Sequence, residues 1–243
     1  MKKLLRKLRR AITKHEPGYH DMYLNEGERF FARLYLHYIR KTVREQNGKQ
    51  LKLLDAGCQT GRLAIPLAGD GHRVTGLDTS ALAIHKAGEH ARRAGVTLEL
   101  VKADMGKWLP KQPEGSFDAV LCNEVLYLRS NWRELQKGLI RLLRPGGLCF
   151  VSHRPPAFYD KVISGEGPIN GSYYNWQTRE ELENLYRDSG IRVLRVSPIW
   201  QISRLVNPEK VTEEQREALF LEETSAAERS NNSRYLLVCG KKR

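Results

Sequence analysis

The sequence lacks the patterns that mark three classes of protein. No run approaches the roughly 20 apolar residues that a membrane-spanning helix needs. The basic N-terminus is followed by neither the apolar run nor the small-residue cleavage site of a secretory signal. The four cysteines, Cys58, Cys122, Cys149 and Cys239, include no Cys-x-x-Cys pair, which argues against zinc or iron–sulfur ligation. We therefore expect a cytoplasmic protein with no metal site and with buried, free thiols.

The phosphate-binding fingerprint Gly-x-Gly-x-x-Gly of dinucleotide-binding domains is also absent. In its place, a strand-like segment runs into the pattern Asp-x-Gly-x-x-x-Gly at Asp55, Gly57 and Gly61, and the next apolar run ends at Asp78. Such glycines let the backbone approach a ligand closely, and an acid at the end of the second strand accepts hydrogen bonds from ribose hydroxyls. The pattern favours a ligand with an adenosine but no pyrophosphate. A nicotinamide-dependent oxidoreductase is the weaker alternative, since no Tyr-x-x-x-Lys is visible either.

Acidic residues are missing from residues 1–14, which carry seven basic ones. Removing these seven charges from the net +13 leaves +6, so the excess is concentrated in one short arm. Its apolar residues fall on one side of a helix, with the basic ones opposite. Four interpretations stay open: a helix packed on the domain, an anionic-membrane contact, an RNA contact, and docking against a second copy in a homodimer.

Strands and helices alternate along the rest of the chain. Strands are predicted at 51–57, 72–78, 97–103, 117–123, 147–153, 191–199 and 235–239, and helices at 25–45, 61–69, 80–94 and 131–143. Thr178 with Glu181 predicts a capping box at the start of a further helix. Near-continuous apolar strands joined by helices predict a doubly wound α/β sheet. We expect a helical lid region at 1–46 and one domain at 47–243, with substrate-side insertions at 155–176 and 207–229.

Polar residues follow five successive predicted strands: Asp55, Asp78, Asp104, Asn123 and His153. In an open α/β sheet, the carboxyl ends of parallel strands meet at one edge, and ligands bind there. One aspartate after a strand is usually a helix cap, but five polar strand ends in order predict a binding site.

Five segments in this part of the chain resemble the class I S-adenosylmethionine-dependent methyltransferases. They are residues 53–61, 76–80, 102–105, 117–126 and 143–147. The resemblance covers roughly residues 45–155. It implies a seven-stranded, mostly parallel Rossmann-like sheet and S-adenosyl-L-methionine as the cofactor. The small-molecule branches of the family fit best, because the Asn-Pro-Pro-Tyr signature of amino-methylating nucleic-acid enzymes is missing at 123–126.

The resemblance also implies a role for residues of the first turn and the fourth strand. Gly57, Cys58 and Gly61 would form the turn that approaches the methionine part of the cofactor. Asp55 would order that turn, and Asn123 would face the methionine end. Arg62 could meet the methionine carboxylate, although an exposed helix residue is the more ordinary interpretation of an arginine at that position.

The second and third strand ends would hold the adenosine. Asp78 would accept hydrogen bonds from both ribose hydroxyls, with Thr79 as a wall beside it. Asp104 would accept from the adenine amino group, and Met105 would supply a backbone donor and an apolar surface.

A proton acceptor is needed only if the methyl acceptor must lose a proton. His153 is the first candidate, His20 the second and Glu124 the third, and each also has an ordinary structural interpretation. An N-terminal lid would place Tyr19 and Tyr23 over the substrate. The long loop after the fifth strand would contribute aromatic residues to its pocket: Phe158, Tyr159, Tyr173, Tyr174 and Trp176.

These observations predict methyl transfer to an oxygen, nitrogen or carbon atom of a small molecule. An RNA or tRNA methyltransferase that uses the basic arm is the alternative within the same chemistry. The nicotinamide-dependent oxidoreductase stands third.

Overall fold

The fold is built on one seven-stranded sheet. The computed structural model describes residues 23–24, 26–46, 49–156, 176–201, 212–225 and 233–243. The strands are β1 (Lys52–Ala56), β2 (Arg73–Asp78), β3 (Glu99–Lys102), β4 (Phe117–Cys122), β5 (Leu143–His153), β6 (Ile191–Gln201) and β7 (Ser233–Lys242). Their order is β3-β2-β1-β4-β5-β7-β6. Strands β1 to β5 pair in parallel, and β7 runs antiparallel to both β5 and β6. This confirms the predicted doubly wound, mostly parallel sheet.

The strand order reverses between β1 and β4. The chain first adds strands on one side of β1, and then crosses to add β4 on the other side. Crossover connections diverge at such a point and leave a crevice at the carboxyl ends of the strands. The crevice lies beyond Ala56 and Cys122, where the sequence predicts the binding site.

Helices cover both faces of the sheet. They are α1 (Glu26–Glu45), α2 (Ala64–Gly69), α3 (Ala81–Arg93), α4 (Met105–Trp108), α5 (Trp132–Arg141), α6 (Arg179–Asp188) and α7 (Glu213–Ser225). Helix α6 starts with the predicted capping box. The Glu181 backbone N–H donates to Thr178 Oγ1 at 3.2 Å, and the Thr178 N–H donates to Glu181 Oε2 at 2.7 Å. Two unpaired donors at the helix start are thereby satisfied.

Each face of the sheet has its own apolar core. On one face, Phe30 and Tyr35 of α1 pack with Leu53 of β1 and Leu237 of β7. On the other face, α5 and α6 pack against β4 and β5. The helix of the predicted lid region therefore shares its core with the sheet. All four cysteines are buried and free, as their places in or beside predicted strands indicated.

Two of the boundaries that differ from the sequence prediction have local reasons. Helix α2 begins at Ala64 rather than 61, because Gly61 has φ +92°, which no helix residue adopts. Strand β5 begins at Leu143 rather than 147, because Leu143 pairs with Phe117 ahead of a shift in register. The predicted excursion at 207–229 contains α7. Within the described ranges, no helix has both the length and the apolarity that crossing a bilayer requires.

Candidate active site

The turn after β1 is the structural foundation of the site. Gly57 has φ +87°, and a Cβ atom built on it would lie 2.3 Å from Val125 Cγ2. A side chain at this position would meet both an unfavourable backbone conformation and a direct overlap. The N–H groups of Gly57 and Cys58 donate to the carbonyl of Leu77 at 2.7 and 3.1 Å, which ties the turn to β2. The fold therefore requires glycine at position 57, whatever ligand the turn binds.

Asp78 is oriented by the same turn. Its Oδ2 accepts from the backbone N–H of Gln59 at 3.0 Å, and its Oδ1 accepts from the N–H of Ser80 at 2.9 Å. Gln59 reaches Asp78 through a left-handed backbone conformation, with φ +50°. Each carboxylate oxygen keeps further acceptor capacity, so Asp78 can also receive hydroxyl donors from a ligand.

A cavity of about 430 Å³ opens beyond these strand ends, within the size range of small-molecule sites. Its β2–β3 end is formed by Asp78, Thr79, Ala103, Met105 and Arg129, and its β1–β4 end by Gly57, Gln59, Arg62, Asn123 and Glu124. Four apolar side chains complete the wall: Leu77, Val125, Leu128 and Leu135. Of the predicted cofactor residues, the structure brings five together here: Gly57, Asp78, Thr79, Met105 and Asn123.

Two buried polar groups in this cavity have no hydrogen-bond partner among the described residues. They are both amide atoms of the Asn123 side chain and Oε1 of Gln59. Asn123 is only 6% exposed. Burying an amide without a partner costs on the order of 1–3 kcal/mol, so such groups indicate a missing ligand or water.

The other predicted cofactor residues support the cavity without lining it. Asp55 is buried beneath the turn, and burial raises the pKa of its carboxyl to about 7 despite the opposing charge of Arg62. Cys58 is buried against Gly76, and Gly61 packs against Ile65. Their direct contact with a cofactor stays a prediction.

Asp104 is held by an arginine that the sequence analysis did not identify. The Arg129 Nη2 donates to Asp104 Oδ2 at 3.0 Å. This hydrogen bond lowers the pKa of the Asp104 carboxyl below its usual value. The neighbours Ala103 and Met105 line the cavity, whereas the Asp104 carboxylate faces Arg129. The predicted bond from Asp104 to an adenine amino group would therefore have to share this carboxylate with Arg129.

Arg62 is the largest departure from the sequence analysis. It is 6% exposed, not a solvated helix residue. Its Nη1 lies 2.6 Å from Glu28 Oε2 and its Nη2 lies 2.5 Å from Glu124 Oε1. These partners are 34 and 62 residues away in sequence, so no local pattern could have indicated them. Glu28 brings α1 into contact with the β1–β4 end of the cavity.

His153 does not reach the cavity. Its ring is 2% exposed, its Nδ1 lies 3.2 Å from Gln177 Oε1, and its Nε2 lies 2.9 Å from the Tyr186 hydroxyl. Burial lowers the pKa of the imidazole to about 4. With both nitrogens engaged, His153 joins α6 to β5. It is a core residue rather than the proton acceptor that its strand-end position predicted.

The predicted substrate residues divide into two groups. His20, Tyr19, Tyr159 and Tyr173 lie outside the described residues, as do Phe158 and Tyr174, and their roles stay predictions. Tyr23 is described: its N–H donates to Thr60 Oγ1 at 2.9 Å, and its ring stacks on His90 at 4.8 Å. Tyr23 and Arg62 also line a second cavity of about 490 Å³ beside α1. Trp176 forms a single β-bridge with Arg154 and lines neither cavity.

Comparisons with known proteins agree with this geometry. Residues 53–147 match a family model described as a methyltransferase domain. The ubiquinone biosynthesis O-methyltransferase of Klebsiella pneumoniae (strain ATCC 700721 / MGH 78578) is 34% identical over 119 residues, 49% of this chain and 48% of the relative. The protein of the same name from Bordetella pertussis is 27% identical over 186 residues, 71% of this chain and 76% of the relative. The chain thus spans about half the length of the Klebsiella relative.

A solved structure shares the fold at low sequence identity. Magnesium protoporphyrin IX methyltransferase from Synechocystis PCC 6803, with S-adenosylhomocysteine bound, superimposes with a TM-score of 0.62 at 17% identity. The match covers 90% of this chain and 85% of that one. The five sequence motifs, the sheet order and the matched family model agree. Residues 53–147 therefore match a methyltransferase domain, and the chain shares the fold of a methyltransferase that was crystallised with S-adenosylhomocysteine.

Proposed function

We propose that the protein transfers a methyl group from S-adenosylmethionine to a small molecule. The observation that carries this proposal is the set of buried, unpartnered polar atoms in the cavity at the strand ends, namely both amide atoms of Asn123 and Oε1 of Gln59. A ligand with a polar amino-acid end would satisfy them, while the Asp78 carboxylate at the other end suits ribose hydroxyls. The cavity therefore fits an amino acid joined to a nucleoside.

The residues present suggest one orientation of this cofactor. Asp78, Thr79 and Met105 would hold the adenosine at the β2–β3 end, and Asn123, Gln59 and the glycine turn would hold the methionine at the β1–β4 end. When bound, S-adenosylmethionine supplies an activated methyl group, so the chain's own residues need mainly to bind, orient and exclude water. Glu124 is the carboxylate that lines the cavity at the methionine end, whereas His153 is buried elsewhere.

An oxygen acceptor is favoured by the curated relatives, which are named O-methyltransferases. The structural neighbours named after protoporphyrin and didemethyltoxoflavin are also small-molecule enzymes. The contacts predicted for the basic arm 1–14, with RNA, an anionic membrane or a second copy, remain separate proposals, as does a cytoplasmic location. Neither the RNA alternative nor the nicotinamide alternative has a motif or relative in its favour among these comparisons.

Isothermal titration calorimetry tests the cofactor assignment directly. The purified protein should bind S-adenosylmethionine and S-adenosylhomocysteine and should give no heat with NADH. Release of S-adenosylhomocysteine during incubation with a panel of phenols and catechols would then identify acceptors. Binding of NADH alone would contradict the proposal, and RNA-dependent release with no small-molecule turnover would favour the RNA alternative.

A further inference from the structure

The β1–β4 end of the cavity is rich in carboxylates. Arg62 contributes one positive charge there, and it contacts the carboxylates of both Glu28 and Glu124. Asp55 lies buried beneath the same turn and interacts electrostatically with Arg62. A ligand that brings positive charge to this end would improve the charge balance of the cluster.

Only one of the two carboxylates on Arg62 lines the cavity. Glu124 is among its wall residues, whereas Glu28 meets Arg62 from α1 and is not among the described residues of the wall. The two ion pairs are otherwise closely matched, at 2.6 and 2.5 Å and with side chains 18% and 12% exposed. A ligand in the cavity would therefore contact Glu124, whereas Glu28 supports Arg62 from outside the cavity wall.

The backbone of Glu124 is fixed in an uncommon conformation. Its φ is +63°, in the left-handed region that side chains other than glycine, asparagine and aspartate rarely adopt. Its N–H donates to Ser152 Oγ on β5 at 2.7 Å. Conformations of this kind persist where the surroundings enforce them, and they concentrate at ligand sites. The fold thus holds the carboxylate beside Asn123, whose amide lacks a partner.

We propose that Glu124 recognises the positive charge of the sulfonium donor and makes the cavity discriminate against its neutral thioether by-product. This inference rests on the proposed function and adds a specificity determinant to the same site. A carboxylate attracts a nearby cation far more strongly in a partly buried site than in water. Methyl transfer removes the sulfonium charge and leaves the α-ammonium of the amino-acid end in place. The sulfonium's share of this attraction therefore ends with the reaction, which favours exchange of spent cofactor for fresh donor.

The test compares two charge-neutralising variants by calorimetry. Glu124→Gln should weaken binding of S-adenosylmethionine about tenfold and that of S-adenosylhomocysteine less than about threefold. Glu28→Gln removes the other partner of Arg62 and should weaken both ligands by the same factor, because Glu28 does not line the cavity. Circular dichroism and thermal unfolding would establish that each variant is folded before titration.

The outcomes separate this inference from the proposed function. Equal weakening of both ligands in Glu124→Gln would overturn the inference and leave a purely structural ion pair. Failure of the wild-type protein to bind either ligand would instead reject the proposed function. If Glu124→Gln does not fold, Glu124→Asp retracts the charge by one methylene and should lose part of the discrimination. Unchanged discrimination in a folded Glu124→Asp would count against Glu124.

Discussion

The two ends of the cavity are built by different means. At the β2–β3 end, Asp78 is oriented by backbone N–H groups of Gln59 and Ser80, both within 19 residues of it in sequence. At the β1–β4 end, Arg62 and Glu124 depend on side-chain partners from α1 and on the Ser152 hydroxyl of β5. One end is assembled mostly by neighbouring segments, while the other requires the complete fold.

This difference predicts where substitutions are tolerated. An ion pair that is about one-third exposed is worth little, whereas removing one partner of a buried network leaves charges without compensation. The Arg129–Asp104 pair at the β2–β3 end is of the first kind, with side chains 35% and 34% exposed. The Arg62 network is of the second kind.

Replacement of Arg62 should therefore have the largest effect. Arg62→Met keeps much of the side-chain volume but leaves Glu28 and Glu124 partly buried without their cation. We expect a loss of about 3–5 kcal/mol in the free energy of unfolding, measured by urea denaturation. Arg129→Met is the matched control and should cost about 1 kcal/mol or less. Equal losses in the two variants would remove the distinction between the two ends.

The same distinction explains what could be predicted from the sequence. The sheet, the capping box at Thr178 and the cavity residues Asp78 and Asn123 follow from periodicity and from strand ends, which are local signals. The burial of Arg62 could not be predicted, because Glu28 approaches only after α1 has packed on the sheet. His153 was wrongly placed for a related reason: its strand end is covered by α6, and only tertiary packing brings Tyr186 and Gln177 to its ring.

The glycine turn offers the next largest effect. Gly57→Ala adds a Cβ atom that would overlap Val125 at 2.3 Å, in a backbone with φ +87°. We expect a loss of about 3 kcal/mol in unfolding free energy, from left-handed strain and overpacking together. Gly71→Ala has nearly the same φ, +90°, but nothing lies within 4 Å of its Cβ, so about 1 kcal/mol is expected.

Comparison of the two glycine variants isolates the overlap from the backbone strain. Val125→Ala in the Gly57→Ala background should recover part of the lost stability, because it removes the methyl groups nearest the new Cβ atom. A Gly57→Ala protein as stable as Gly71→Ala would show that the turn shifts freely and does not need glycine for packing.

A smaller effect is expected at the β2–β3 end, and it concerns binding. Asp78→Ala should weaken S-adenosylhomocysteine by about 1–3 kcal/mol, because ribose hydroxyls would lose a charged acceptor. Asp104→Ala should weaken it less, since the Asp104 carboxylate is already bound by Arg129 and does not line the cavity. Calorimetry at constant pH measures both affinities, and a larger loss in Asp104→Ala would reverse these assignments.

The smallest effect on ligand binding is expected for His153, which belongs to neither end. His153→Gln should change affinity for S-adenosylhomocysteine less than about twofold.

The effect of His153→Gln should appear in the pH dependence of stability. The folded pKa of about 4 lies below the unfolded value near 6.5, so the unfolded chain binds more protons between these limits. Stability from neutral His153 is thus present above the unfolded pKa and lost as pH falls toward 4. Wild-type protein should lose about 2 kcal/mol more than His153→Gln between pH 7 and pH 5, by urea denaturation. A variant that binds cofactor normally but keeps the wild-type pH slope would show that other groups cause it.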